Sequence, residues 1–289
     1  MGDLGYQSSA QENLKVCYNS IDNYIETLRQ AIVNIHPPYA DIGVQAGDEY
    51  KQLSSALLQI ENEFYSPIRP KRVTDSGETP LSALKEKGVE YIEVRCIDVN
   101  PYLPLGIDAD QIRFIDCFLL YCLFNRSSLC DDDERDRIAH NSSAVVTRGR
   151  EPGLKLLNRN EEVSLSDWGN QLLDGIDKVA KMLDEAHGGD NYQRICAEQR
   201  QKLDHPELTP SAKILADMKS SDTPFFKMAM ALSKQHGEDY QNRPLSGEDK
   251  RYFSDLTELS LKRQQEIESS DTISFDEYLA SYYAQYEDL

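Results

Sequence analysis

The six cysteines of this 289-residue chain (Cys17, Cys96, Cys117, Cys122, Cys130 and Cys196) form no Cys-x-x-Cys pair, and its five histidines form no His-x-x-x-His pair. Zinc-ligand spacing is therefore absent. Several of the cysteines fall at apolar helix or strand positions, where the thiol acts as a small hydrophobe, and a reducing cytoplasm is expected. Basic residues are also scarce. Thirty-one Lys and Arg stand against fifty Asp and Glu, a net charge of −19, which excludes a general nucleic-acid binder or a binder of acidic membrane surfaces. The longest apolar run, Phe114 to Phe124, is too short to cross a bilayer and contains Asp116, so it is expected to be a buried helix rather than a membrane span. Met1-Gly2-Asp3-Leu4 has neither the basic start nor the apolar segment of a signal peptide. Cytoplasmic localisation follows as an expectation. No internal repeat is present.

Against those absences stand two stretches in which charged residues interrupt apolar runs. In Gly88 to Pro101, strand alternation puts Val89, Tyr91, Glu93, Arg95 and Ile97 on one face and Ile92, Val94 and Cys96 on the other. With the apolar set turned to a core, Glu93 and Arg95 stand together on the opposite surface, their Cα atoms about 6.5–7 Å apart. A carboxylate and a guanidinium held side by side on a rigid strand can hold a cation and an anionic group together, which nucleotide-dependent chemistry requires. The bland alternative is an ordinary surface ion pair worth about 0–1 kcal/mol. A second strand is expected over Leu57 to Tyr65, with Gln59, Glu61, Glu63 and Tyr65 on one face. Two half-polar strands suggest a sheet with one covered and one polar face. Arg69-Pro70-Lys71-Arg72 is a local cationic cluster that either attracts a phosphate or carboxylate or is a solvated turn.

Helix signals are plentiful. Ser20 caps a helix over about Ile21 to Val33 that stops before His36-Pro37-Pro38. Thr79-Pro80 opens a short helix that Gly88 closes. Asp108 with Gln111 opens another, with Ile112, Ile115, Phe118, Leu119 and Cys122 as its apolar stripe. Beyond Gly106 everything reads as helix and loop: acid at Asp131 to Glu134, a loop at Gly149 to Gly153, a long helix over Ser166 to Ala186, an Asp190 cap, and Thr-Pro starts at 209–210 and 223–224. Two final helices cover about Gly247 to Glu268 and Ser274 to Tyr286. Two or three strands do not make an independent sheet with one wet face, so the first hundred residues read as the end of a larger sheet. Met1 to Tyr6 reads as an interior loop.

The chain resembles the carboxy-terminal half of the proteobacterial type of glutamate–cysteine ligase. The resemblance is carried by Asp3-Leu4-Gly5-Tyr6, by Gln59 to Arg72 and by Glu90-Tyr91-Ile92-Glu93-Val94-Arg95, with support from Arg113 to Asp116, Gly149 to Leu154, Arg263 to Glu266 and Asp271-Thr272. It is close through about Cys122, patchy from Arg126 to Lys219 and thin from Ser220 to about Leu261. The resemblance implies an α+β fold: the end of a glutamine-synthetase-like antiparallel sheet over residues 1–105, incomplete, followed by a mainly α-helical region over 106–289 packed on it. It also implies an ATP- and Mg2+-dependent ligase that joins the γ-carboxylate of L-glutamate to the amine of L-cysteine through a γ-glutamyl phosphate, the first step of glutathione synthesis. Phosphoryl transfer needs positioning and charge neutralisation. By the family pattern Glu93 is a metal ligand, Arg95 the catalytic contact to the transferred group, and Tyr6 and Tyr65 line the cysteine pocket. Arg69, Lys71 and Arg72 match a motif suited to an anion. Most metal carboxylates of the family lie in a half absent from this sequence, so the chain alone is expected to be inactive. That missing half would belong to the same or a separate chain. Two further readings stand beside it: one subunit of a split ligase, or a non-catalytic acidic helical interaction module.

Overall fold

Ser20 Oγ accepts the Asn23 amide at 3.1 Å and so starts helix α1 (Ile21–Val33), the first long element of the computed structural model, which describes residues 8–289. Then follow the short α2 (Pro37–Ala40), the hairpin strands β1 (Gln45–Ala46) and β2 (Glu49–Tyr50), β3 (Ile68–Lys71), α3 (Pro80–Lys87) and β4 (Tyr91–Val94). Helices dominate the remainder: α4 (Ala109–Phe124), α5 (Asp132–Arg148), the hairpin β5 (Lys155–Asn158) and β6 (Glu161–Ser164), α6 (Leu165–His187), α7 (Asn191–Asp204), α8 (Pro210–Ser221), α9 (Phe225–Gln241), α10 (Gly247–Ser270) and α11 (Phe275–Ala284). The class is α+β, and every sheet among the described residues is a two-stranded antiparallel ribbon. No described helix is long and apolar enough to cross a membrane.

The residues group into two compact units, one of residues up to Ile97 with Pro244–Leu289 and one of Asp98–Arg243. In the first, α1 lays Tyr24, Ile25, Leu28 and Ile32 against Leu58, Phe64, Leu81, Leu84 and Tyr286. Thr79 and Pro80 start α3 as expected, with Thr79 Oγ1 accepting the Ser82 amide, and Gly88 ends it at φ +71°, a conformation open to glycine at no steric cost. In the second unit, α4, α6 and α7 pack around Cys117, Leu173, Ile176, Ala180 and Cys196, while Ala144, Leu154 and Leu156 form a smaller cluster between α5 and β5. Gly175 on α6 leaves room for the Tyr121 ring of α4; a Cβ there would overlap it.

Four local expectations need correction. Leu57 to Tyr65 is not a strand: Glu61–Glu63 form a single 3-10 turn, because the Glu61 side chain folds inward to hydrogen-bond partners that an extended chain would place out of reach. Helix α4 is not buried. Only Cys117 along it is fully covered, and the stripe in contact with α6 and α7 is Phe114, Cys117 and Tyr121, whereas Ile112, Phe118 and Cys122 are exposed. Asp190 precedes α7 without a side-chain capping bond; the buried carboxylate of Asp184, on the preceding helix, accepts the Tyr192 and Gln193 amides at 2.9 and 3.0 Å instead. Thr223 does not cap α9, because Pro224 takes the cap position and the Thr223 hydroxyl donates back to the Ser221 carbonyl. Sequence patterning also missed the β5–β6 hairpin, whose two-residue loop lacks glycine and instead puts Arg159 at φ +55°.

Candidate active site

Strands β3 and β4 pair Ile68 with Val94, Arg69 with Glu93, Pro70 with Ile92 and Lys71 with Tyr91. Residues directly opposite in an antiparallel ladder share a face. Arg69, Lys71, Tyr91 and Glu93 therefore occupy one side of the ribbon. The Arg95 amide donates to the Pro67 carbonyl at 2.7 Å, which extends the pairing and brings its side chain beside Glu93. Arg95 Nε lies 2.9 Å from Glu93 Oε2, and Nη2 donates to Oε1 at 3.1 Å, a two-point contact with a fixed orientation. The hydrogen bond from Arg95 holds the Glu93 carboxyl below its usual value against the opposing effect of partial burial, and the charges of Arg95, Lys71 and Arg69 act in the same direction. An anionic Glu93 is thus set among three cations.

The opposite face differs from the expectation. Ile92 is 47 % exposed and Ile68 37 %, so among the described residues no layer encloses the apolar side of the ribbon, where Pro70 and Val94 are half-buried. A two-stranded ribbon has no third strand to bring a core with it.

The chain before β3 forms a rigid approach to the charged face. Glu61 is buried, with one carboxylate oxygen accepting the Leu81 amide at 3.0 Å and the other accepting the Tyr286 hydroxyl. Arg69 is also buried. Its guanidinium donates to the carbonyls of Asn62, at 3.1 Å, and Phe64, and lies over the Phe64 ring at 5.9 Å. The Tyr18 and Ser66 hydroxyls are hydrogen-bonded at 2.6 Å, and both lie within hydrogen-bond distance of the Ile68 carbonyl, at 3.0 and 2.7 Å, so one hydroxyl donates to the other and the second to the carbonyl. These bonds fix the turn that carries Tyr65, whose amide donates to Gln11 Oε1 at 3.0 Å while its ring stays exposed.

The sequence-predicted residues are thus only partly gathered. Glu93, Arg95 and Lys71 share one face. Arg69 shares the register position but directs Nη2 to carbonyls of the turn, and Arg72 lies 3.7 Å from Glu90 at the strand end. Tyr65 sits on the turn before β3, and Tyr6 lies outside the described residues. Glu61 and Ser66 were missed as organising groups. The available signal was their polarity within an otherwise apolar stretch, which strand alternation explained away. For a magnesium ion the donor set does not suffice: among the described residues no three Asp, Glu, His or Cys side chains gather, and both oxygens of Glu93 face Arg95. A magnesium site asks for near-octahedral oxygen coordination, and a lone paired carboxylate cannot supply it.

Comparison with known proteins places this chain in a family. Residues 1–145 match the family model described as glutamate-cysteine ligase. Glutamate–cysteine ligases of Pseudomonas paraeruginosa and Pseudomonas aeruginosa are 44% and 45% identical over 284 residues, covering 98% of this chain and 54% of each relative. The crystal structure of a glutamate–cysteine ligase from Francisella tularensis in complex with AMP aligns with a TM-score of 0.90 at 33% identity, over 99% of this chain and 56% of that one. A bifunctional glutathione synthetase from Pasteurella multocida aligns at 0.54 with 18% identity, over 82% of this chain and 26% of the other, a likeness of fold alone. The chain spans about half the length of the curated relatives it matches. It belongs to the glutamate–cysteine ligase family.

Proposed function

We propose that this chain supplies part of the catalytic machinery of an ATP-dependent ligase joining the γ-carboxylate of L-glutamate to the amine of L-cysteine, as the first step of glutathione synthesis in the cytoplasm. The observation that carries this reading is the two-point Glu93–Arg95 contact on the charged face of the β3–β4 ribbon, inside the stretch that matches the family. The AMP held by the Francisella relative supports an adenine nucleotide as the phosphoryl donor.

A carboxylate is a poor electrophile. Conversion to a γ-glutamyl phosphate makes phosphate the leaving group when the cysteine amine attacks. In that scheme the Arg95 guanidinium neutralises charge on the transferred group, with Glu93 setting its orientation. Lys71 and Arg72 favour an anionic group along the same strand, Arg69 holds the turn beneath them, and Tyr65, together with Tyr6, lines the cysteine pocket. Residues 1–105 are assigned to the catalytic sheet and 106–289 to an accompanying helical region.

Magnesium would neutralise the donor phosphates when bound. Glu93 contributes at most one ligand to such a site, with the remaining carboxylates coming from a complementary portion of the ligase in the same or a separate chain. The chain alone is therefore inactive in this reading. The test is ATP-dependent γ-glutamylcysteine formation by the chain mixed with the portion of the Pseudomonas aeruginosa relative that it leaves unmatched. Formation only in the mixture supports the reading, and formation by neither contradicts it.

A further inference from the structure

The carboxamide of Gln11 makes two bonds to one stretch of backbone. Its Nε2 donates to the Glu63 carbonyl at 2.8 Å, and its Oε1 accepts the Tyr65 amide at 3.0 Å. Residues 63 and 65 flank Phe64, whose backbone is extended at φ −67° and ψ 115°. In an extended chain the carbonyl before a residue and the amide after it point to the same side, and the residue's own carbonyl points to the other. On that other side the Phe64 carbonyl accepts the Arg69 guanidinium. One residue of strand is therefore held along both edges, by side chains where a sheet would supply neighbouring strands. A carboxamide suits this task because it presents a donor and an acceptor side by side, as the backbone of a partner strand does.

The clamp is itself anchored. Gln11 ends a 3-10 turn over Ser9–Gln11, where its amide donates to the Ser8 carbonyl at 3.1 Å and its carbonyl accepts the Leu14 amide at 2.9 Å. Just beyond, Val16 belongs to the core of the first unit and Leu14 packs against it. Strand alternation then sends the two rings of the clamped segment to opposite sides. Phe64 is 6 % exposed and points into the core, whereas Tyr65 is 40 % exposed and faces outward. Gln11 acts on the Tyr65 backbone, and so on the direction its ring takes.

We propose that Gln11 is a positioning residue of the amine-substrate pocket: its carboxamide stands in for a partner strand and fixes the Tyr65 ring where it meets cysteine. This rests on the reading that Tyr65 lines that pocket. Loss of the clamp loosens one wall of the pocket. The charged face of the β3–β4 ribbon stays in place, because Arg95 is tied to Pro67 and Arg69 to Asn62 and Phe64 by bonds that do not involve Gln11. The cost therefore falls on cysteine binding rather than on the phosphoryl step.

Two readouts separate this role from plain stability. Gln11→Met keeps the length of the side chain and loses both bonds. In the 289-residue chain its Tyr65 amide is expected to exchange with deuterium about tenfold faster, at an unchanged melting temperature. Gln11→Glu keeps the acceptor oxygen, and its Tyr65 amide is expected to exchange at an intermediate rate. Should Gln11→Met melt early, Gln11→Glu decides by the same readouts. Mixed with the unmatched portion of the Pseudomonas aeruginosa relative, Gln11→Met is expected to raise the KM for cysteine about fivefold, with kcat and the KM for ATP within about twofold of the unsubstituted mixture. Unchanged Tyr65 exchange overturns the proposal. So does an active mixture whose cysteine KM does not move, or whose constants for cysteine and ATP worsen alike; in both cases the ligase reading stands. An unsubstituted mixture without activity overturns the ligase reading itself, and the cysteine role of Gln11 with it.

Discussion

The Tyr286 hydroxyl donates to the carboxylate of Glu61, 225 positions earlier in the chain, and both groups are buried. The other Glu61 oxygen caps the start of α3 through the Leu81 amide, and Arg29 Nε donates to the Tyr286 carbonyl at 2.6 Å. The last turns of the chain thus close over the segment that leads into β3. Burial, and then the charge of Glu61, push the Tyr286 phenol far above its usual range.

Replacing Tyr286 by Phe leaves a buried carboxylate oxygen without its donor. Loss of a partner to a buried charged group costs about 1–3 kcal/mol or more. Urea unfolding of Tyr286→Phe is expected to show a lower midpoint with an unchanged slope. An unchanged midpoint would mean that Glu61 finds another donor and that the tail is not an anchor.

Asp184 and Asp190 make a matched pair for testing helix capping. Burial alone would raise the Asp184 carboxyl, but the Tyr192 and Gln193 amides and the Gln193 side chain outweigh it and hold it below the usual value. A depressed folded value stabilises above the unfolded carboxylate range, near pH 4, and that stabilisation disappears as pH falls through the folded value. Asp184→Ala is expected to cost about 1–2 kcal/mol at neutral pH, and Asp190→Ala only a few tenths. Thermal melts at pH 7 and pH 3 check both parts, since the Asp184 effect is expected to shrink at the lower pH.

The same linkage applies to Glu93. With Arg95 present its carboxyl titrates below the ordinary glutamate range, so the ion pair persists through that range and is lost only as pH falls through the lowered folded value. In Arg95→Ala the Glu93 carboxyl is expected to titrate upward toward the ordinary value, read by carboxyl-carbon NMR. An unmoved titration would mean that Arg69 and Lys71 set the charge state.

Cysteine chemistry separates surface from core. Cys96 is exposed, whereas Cys117 and Cys196 are enclosed together, and burial pushes the Cys196 thiol up to about 12. Timed iodoacetamide labelling of the folded chain is expected to modify Cys96 first and to reach Cys117 and Cys196 only on unfolding.

Helix ends were legible in the sequence because they are set by local bonds. Ser20, Thr79-Pro80, Gly88, Asp108 and Ser274 each act within four residues of themselves, and each ends or starts a helix where the spacing predicted. The Glu93–Arg95 pair was legible for the same reason, being fixed by strand alternation. What was not legible depends on distant partners. Glu61 leaves strand geometry for the sake of Leu81 and Tyr286, Arg69 turns to two carbonyls that only the folded turn presents, and the enclosed stripe of α4 is chosen by α6 and α7 rather than by its own composition. The apolar side of the β3–β4 ribbon showed the same limit: alternation identified the face but not whether anything covers it.

In the proposed ligase, which this chain only partly builds, Arg95 acts on the transferred group. That role is tested most directly by measuring ATP-dependent γ-glutamylcysteine formation by the purified chain, by its mixture with the unmatched portion of the Pseudomonas aeruginosa relative, and by the same mixture carrying Arg95→Ala. The expected result is no product from the chain alone, product from the mixture, and a loss of about a hundredfold or more with Arg95→Ala at an unchanged melting temperature. Product from the chain alone that disappears in Glu93→Gln, or full turnover by the Arg95→Ala mixture, would contradict it.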